Sequence, residues 1–237
     1  MKNFIINFSD SDRIAHALML RSFFEPDLGL FKGKMGIVLA LGEYSRKKEN
    51  KIFADFSFDL LEIIISKINK QLAFSLSNGL SGIGWGIEYL IQNEFVEGSS
   101  IDICEEIDQK IMETDPKRIW DMSLENGFEG LLHYIFFHIQ GACKQQTNLP
   151  FDSIYLSDIY NVCMRLKEKN IKKSLKFLLN AYIAFVDNNT LANYATNIFD
   201  FAFTVPNFQI NELATYPLGL DEGLSGVLLH LIDKNQI

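Results

Sequence analysis

Four segments of this sequence repeat one pattern at a near-constant register, and that register restricts the fold more than any other feature. They are LFKGKMGIVLAL from Leu30, LSNGLSGIGWGI from Leu76, LENGFEGLLHYI from Leu124 and LDEGLSGVLLHL from Leu220. Each places two glycines three residues apart ahead of an apolar run: Gly33 and Gly36, Gly79 and Gly82, Gly127 and Gly130, Gly223 and Gly226. The first glycines are separated by 46, 48 and 96 residues. The last spacing is twice 48, so a further unit is expected near residue 175. There IKKSLKFLLNAYIAF keeps the apolar run without the glycines, which reads as a degenerate repeat. A fixed period of this length is the signature of stacked supersecondary units.

Between the glycine segments lie two-faced stretches. Lys51 to Lys70 carries Ile52, Phe53, Phe56, Leu60, Ile63, Ile64 and Ile68 at helical spacing. Ile101 to Met112 puts Ile103, Cys104, Ile107 and Ile111 on one face and acidic residues on the other. Asp152 to Lys169 repeats this with Leu156, Ile159, Val162, Cys163 and Leu166. No segment alternates as a strand does. The unit is therefore a helix pair of about 48 residues, with a two-faced outer helix and an inner helix apolar nearly all round. Pro26, Pro116 and Pro217 each fall shortly before a glycine pair, in a connecting loop. With an outer helix near Asp12 to Phe24, the chain holds about five outer–inner pairs. The expected class is all-α, a single domain over residues 1–237 with an inner ring of helices covered by an outer one.

Glycines three apart share a helix face and leave bare backbone that a neighbour can approach closely. The N–H groups of the first turn would also be free to bind an anion or carboxylate. Both uses fit the spacing.

Composition excludes several functions. The chain has 22 basic and 30 acidic residues, a net charge of −8, and no basic stripe, which argues against nucleic acid. The apolar run Phe4-Ile5-Ile6 is too short for a signal peptide, and no window reaches the roughly 18 apolar residues of a membrane span. Cys104, Cys143 and Cys163 are odd in number and widely spaced, which fits a reducing, cytoplasmic setting.

The repeated motifs resemble the lanthionine synthetase C-like (LanC-like) family. GLFKGKMGIVLALGEYSR, from Gly29, is similar to the family's first inner helix, and Gly79-Leu80-Ser81-Gly82-Ile83-Gly84-Trp85 is nearer its consensus. The units at Gly127 and Gly223 match less specifically. The resemblance covers the chain from about Leu30 to the end. It implies an α/α toroid with a central cavity at the inner-helix N-termini, in rings that commonly hold more pairs than are counted here. It also implies a thioether-forming cyclase of ribosomally made peptides, in which zinc held by two Cys and one His favours the thiolate of a peptide cysteine. The family's ligands stand just before glycine pairs. Here those places hold Phe31-Lys32, Ser77-Asn78, Glu125-Asn126 and Asp221-Glu222, with no Cys or His. The zinc the family expects therefore lacks its ligands, and no cofactor is expected.

Position alone singles out further candidate groups. His133 and His230 follow their glycine pairs inside apolar runs, as a base or ligand pair or as core histidines. Glu125, Asp221 and Glu222 stand just before glycine pairs, as acid/base carboxylates or as helix-dipole partners. Trp85 and Tyr89 share a helix face and would line a groove or the core. Three functions follow: a LanC-like protein of peptide modification that binds a precursor peptide or a peptide-modifying enzyme without zinc-dependent cyclisation; a carboxylate-dependent enzyme of an α/α-toroid class, such as a carbohydrate-active one; or a plain interaction scaffold.

Overall fold

Two kinds of helix start differ in chemistry, and the difference follows the outer–inner distinction read from the sequence. The computed structural model describes residues 9–68, 72–191, 198, 201, 203–205 and 209–234, and among these the regular structure is all helical. The outer helices are α1 (Asp10–Arg21), α3 (Lys51–Ser66), α5 (Ser100–Met112) and α7 (Ser153–Lys167). Each begins with a polar side chain that accepts a first-turn N–H: Ser9 from Asp12 at 3.2 Å, Asn50 from Ile52 at 3.0 Å, Ser99 from Asp102 at 3.3 Å and Asp152 from Tyr155 at 2.7 Å. The inner helices α2 (Lys34–Lys48), α4 (Leu80–Gln92), α6 (Phe128–Gln145) and α9 (Leu224–Asp233) begin instead at Gly33, Gly79, Gly127 and Gly223, none of which has a side chain to cap with.

The preceding loop replaces that cap. The N–H of the first helical residue bonds the carbonyl seven residues earlier in all four repeats: Lys34 to Asp27 at 2.9 Å, Leu80 to Ala73 at 2.8 Å, Phe128 to Asp121 at 2.8 Å and Leu224 to Pro217 at 2.9 Å. Met35, Ser81 and Ser225 repeat the bond one residue on, to Leu28, Phe74 and Leu218. The Ser81 and Ser225 hydroxyls donate to the same Phe74 and Leu218 carbonyls. The sequence left these N–H groups free for an anion; the loop folds over the helix start and takes them.

The stretch expected as a degenerate repeat near residue 175 forms α8 (Lys173–Asn188), which is two-faced rather than buried all round, with Phe177 exposed. It starts at Lys172 without the loop clasp, but ends as α2 and α6 end. Glu49, Gln146 and Asn189 each turn left-handed, at φ 52°, 55° and 53°. The Lys51 to Lys70 helix stops at Ser66, because Lys67 leaves helical geometry at φ −104°, ψ 0°. Residues 4–6 and Lys70 lie outside the described residues. So does much of the chain between α8 and α9, where the described part is loop with a short 3-10 turn, Ile210–Glu212. A fifth outer α-helix is not seen among the described residues.

The chain divides into two compact units, Met1–Lys67 with Phe201–Ile237, and Ile68–Asp200. In the first, α3 packs along α2, and α2 also packs against α9, while α1 lies on α9 and α2. The first and last inner helices of the sequence are thus neighbours. In the second, α4 packs against α5 and α6, and α8 against α6 and α7. No described helix is long and apolar enough to cross a membrane.

Candidate functional site

The glycine loops meet one another in pairs, and the pairing has a direction. In the second unit, the Ser77 N–H donates to the Glu125 carbonyl at 2.9 Å. In the first, the Asp221 N–H donates to the Phe31 carbonyl at 3.0 Å. Ser77, Glu125, Asp221 and Phe31 all stand two residues before the first glycine of their repeat. One donates from the second repeat to the third, and the other from the last repeat to the first. The second glycines follow the same rule. A Cβ at Gly130 would stand 2.7 Å from Leu76 Cβ, and one at Gly36 would stand 2.8 Å from Leu220 Cγ. Leu76 and Leu220, which open their motifs, thus pack on the bare backbone of the partner repeat in their own unit.

The candidate carboxylates lie in these loops. Asp221 is half-buried and accepts the Thr204 N–H at 3.0 Å, and the Glu222 N–H returns a bond to the Thr204 carbonyl at 2.9 Å. Glu222 is exposed and left-handed at φ 54°. Glu125 is exposed and belongs to the second unit, whereas Asp221 and Glu222 belong to the first. The histidines divide in the same way. His133 is half-buried on α6, and burial pushes it down to about 4, so it is neutral at pH 7. His230 is half-buried on α9 in the first unit. Trp85 and Tyr89 are both buried and stacked, with ring centroids 5.4 Å apart, and Trp85 lies 5.2 Å from Phe137. Of the two readings of this pair, the structure supports the core.

The residues present do not fit zinc. Cys104 and Cys163 are buried on α5 and α7, and burial raises both thiols. Cys143 stands near the end of α6, and burial raises it too. No three His, Cys, Asp or Glu side chains among the described residues converge in a way that could hold a metal ion.

Sequence reasoning missed the densest polar cluster. His138 of α6 is fully buried between two carboxylates. Its Nδ1 lies 2.6 Å from Glu88 Oε2 of α4, and its Nε2 lies 3.0 Å from Asp108 Oδ2 of α5. Tyr134 donates to Asp108 Oδ1 at 2.5 Å, and the Gln92 amide donates to Glu88 Oε1 at 2.7 Å. Burial pulls His138 down, but the bonds to Asp108 and Glu88 outweigh it and raise the imidazole to about 9. Burial raises Asp108 against the pull of His138, and it raises Tyr134 and Cys104 well above their ordinary ranges. One sequence signal was available. Glycine inside a helix costs about 1 kcal/mol against alanine, so an interior glycine often marks a close contact. A Cβ at Gly141 would meet Glu88 Oε1 at 1.8 Å, and one at Gly84 would meet the Tyr134 ring at 2.4 Å.

No family model, curated protein or solved structure matches this chain.

Proposed function

We propose that the chain is a LanC-like α/α toroid that serves peptide modification by binding a precursor peptide or a modifying enzyme, without zinc-dependent cyclisation. The observation that carries this reading is the direction of the loop pairing. The last repeat donates to the first through the same atoms, at the same motif position, as the second donates to the third. The same pairing rule within each compact unit is what a ring of such repeats would require, and it supports that reading. The ring reading also gives a reason for the α2–α9 contact, which joins residues near opposite ends of the sequence. The family expectation rests on the motifs at Gly33 and Gly79. The change of role rests on the residues before the glycines and on three thiols that burial keeps protonated.

The test uses a synthetic linear peptide with one dehydroalanine and one cysteine. Cyclisation would form a bond from the cysteine sulfur to the dehydroalanine β-carbon and move a proton to the α-carbon. Mass is unchanged but one free thiol is lost. The expected result is saturable binding by fluorescence anisotropy, with the thiol count unchanged with or without added zinc. Zinc-stimulated thiol loss would overturn the non-cyclase half of the proposal. Absence of binding would overturn the peptide-binding half.

A further inference from the structure

We propose that Glu88, His138 and Asp108 form a buried proton latch: a proton held on His138 fastens α5 to α4 and α6, and its loss in alkaline solution loosens the second unit. A neutral imidazole has one N–H and one bare nitrogen. Here both ring nitrogens face carboxylate oxygens, at 2.6 and 3.0 Å. With both carboxylates ionised, only a ring protonated on both nitrogens can donate to the two of them, so His138 is assigned as an imidazolium. The carboxylates come from two different helices, so this single cation ties three helices together.

The surroundings leave His138 as the group that responds. From α4 it is faced by Glu88, which Gln92 supports. From α5 it is faced by Asp108, with Cys104 nearby. From α6 Tyr134 stacks on the imidazole at 5.4 Å, and from the loop before α7 Phe151 stands edge-on at 6.0 Å. Tyr134 and Cys104 keep their protons through the alkaline range, because burial raises both. Lys144 reaches the cluster only through Gln92 and is exposed at its tip. Once the proton is lost, one buried carboxylate faces a bare ring nitrogen, and buried charge without a partner is strongly unfavourable.

The sign follows from linkage. The imidazole stands at 6.5 when unfolded and about 9 when folded, so its stabilisation is fully present below 6.5 and lost as pH rises through 9. That difference is worth about 300-fold in the folding equilibrium constant. The experiment is urea unfolding read by tryptophan emission from pH 6.5 to 10, on the wild type and on Asp108→Asn. In the variant, an amide N–H₂ can donate to a neutral ring nitrogen while its oxygen still accepts from Tyr134. The wild type should lose about 100-fold or more in folding constant and the variant less than about 10-fold. Equal losses would overturn the latch. A ¹⁵N spectrum of the wild-type histidines at pH 8 tests it without any substitution. One of the four rings should carry protons on both nitrogens. Four neutral rings would refute the proposal, even if Asp108→Asn failed to fold.

Discussion

Replacing Gly79 by alanine sets two physical effects against each other, and the structure says which wins. The backbone there is extended, at φ −122° and ψ −163°, a conformation alanine adopts without strain. On local grounds alone the change should stabilise the protein by about 0.4–1 kcal/mol, because the unfolded chain loses freedom. The new Cβ would lie 2.1 Å from the Ala73 carbonyl oxygen and 2.8 Å from the Ser75 nitrogen. Ordinary contact needs about 3.5 Å, so the loop must retreat by more than about 1 Å. That breaks the Leu80-to-Ala73 bond, now 2.8 Å, and the Ser81-to-Phe74 bond, now 3.3 Å. Leu80 and Ser81 are buried, so their N–H groups find no water in exchange. At about 1–3 kcal/mol for each of the two stranded groups, less the local gain, the net loss is about 1–5 kcal/mol. Both tryptophans lie in the second unit; Trp85 is fully buried and Trp120 is 90% exposed, so emission reports Trp85 leaving its core. With a slope of about 2 kcal/mol per molar urea, the midpoint should fall by about 0.5–2.5 M. A Gly79→Ala protein as stable as the wild type, or more so, would refute the clasp as the reason for this glycine.

Further outcomes follow from the same geometry. Glu222→Gly should leave stability unchanged or raise it by up to about 1 kcal/mol, since glycine takes the left-handed backbone at φ 54° without strain; a loss above 1 kcal/mol in thermal unfolding would show that the side chain matters. His133 falls from 6.5 to about 4 on folding, so its neutral form supports the fold above 6.5 and that support is lost as pH drops through 4. The loss should be about 3 kcal/mol between pH 7 and pH 3 and absent in His133→Phe, by urea unfolding at each pH. Asp12 bonds Ser9 and Tyr44 and stands 3.5 Å from Lys48, which together outweigh burial and hold its carboxyl at about 2. Asp12→Ala should cost about 1–2 kcal/mol at pH 7. That cost should vanish as pH falls from 3.8 through about 2, so a difference persisting at pH 1.5 would contradict this account. Leu220 is fully buried against Gly36, and Leu220→Ala should cost about 2–5 kcal/mol in the same measurements.

The helices and their two classes were legible in the sequence because both depend on short-range chemistry. Apolar spacing separates a two-faced helix from one buried nearly all round. The glycine register announced that backbone comes close to backbone. It could not say that the close neighbour is the carbonyl seven residues back, so N–H groups that looked free for a ligand were already bonded. The Asp221 carboxylate accepts from the Thr204 N–H, and that engagement depends on a segment seventeen residues away. His138 had no legible role at all. Its partners stand 50 and 30 residues away in sequence, and nothing local distinguishes it from a histidine with one solvent-facing nitrogen. Periodicity records what each residue prefers to touch, so the sequence by itself determined the all-helical character and the helices that carry it. Only the tertiary structure decided which polar groups meet, because burying three charges together is favourable only when all three arrive at once.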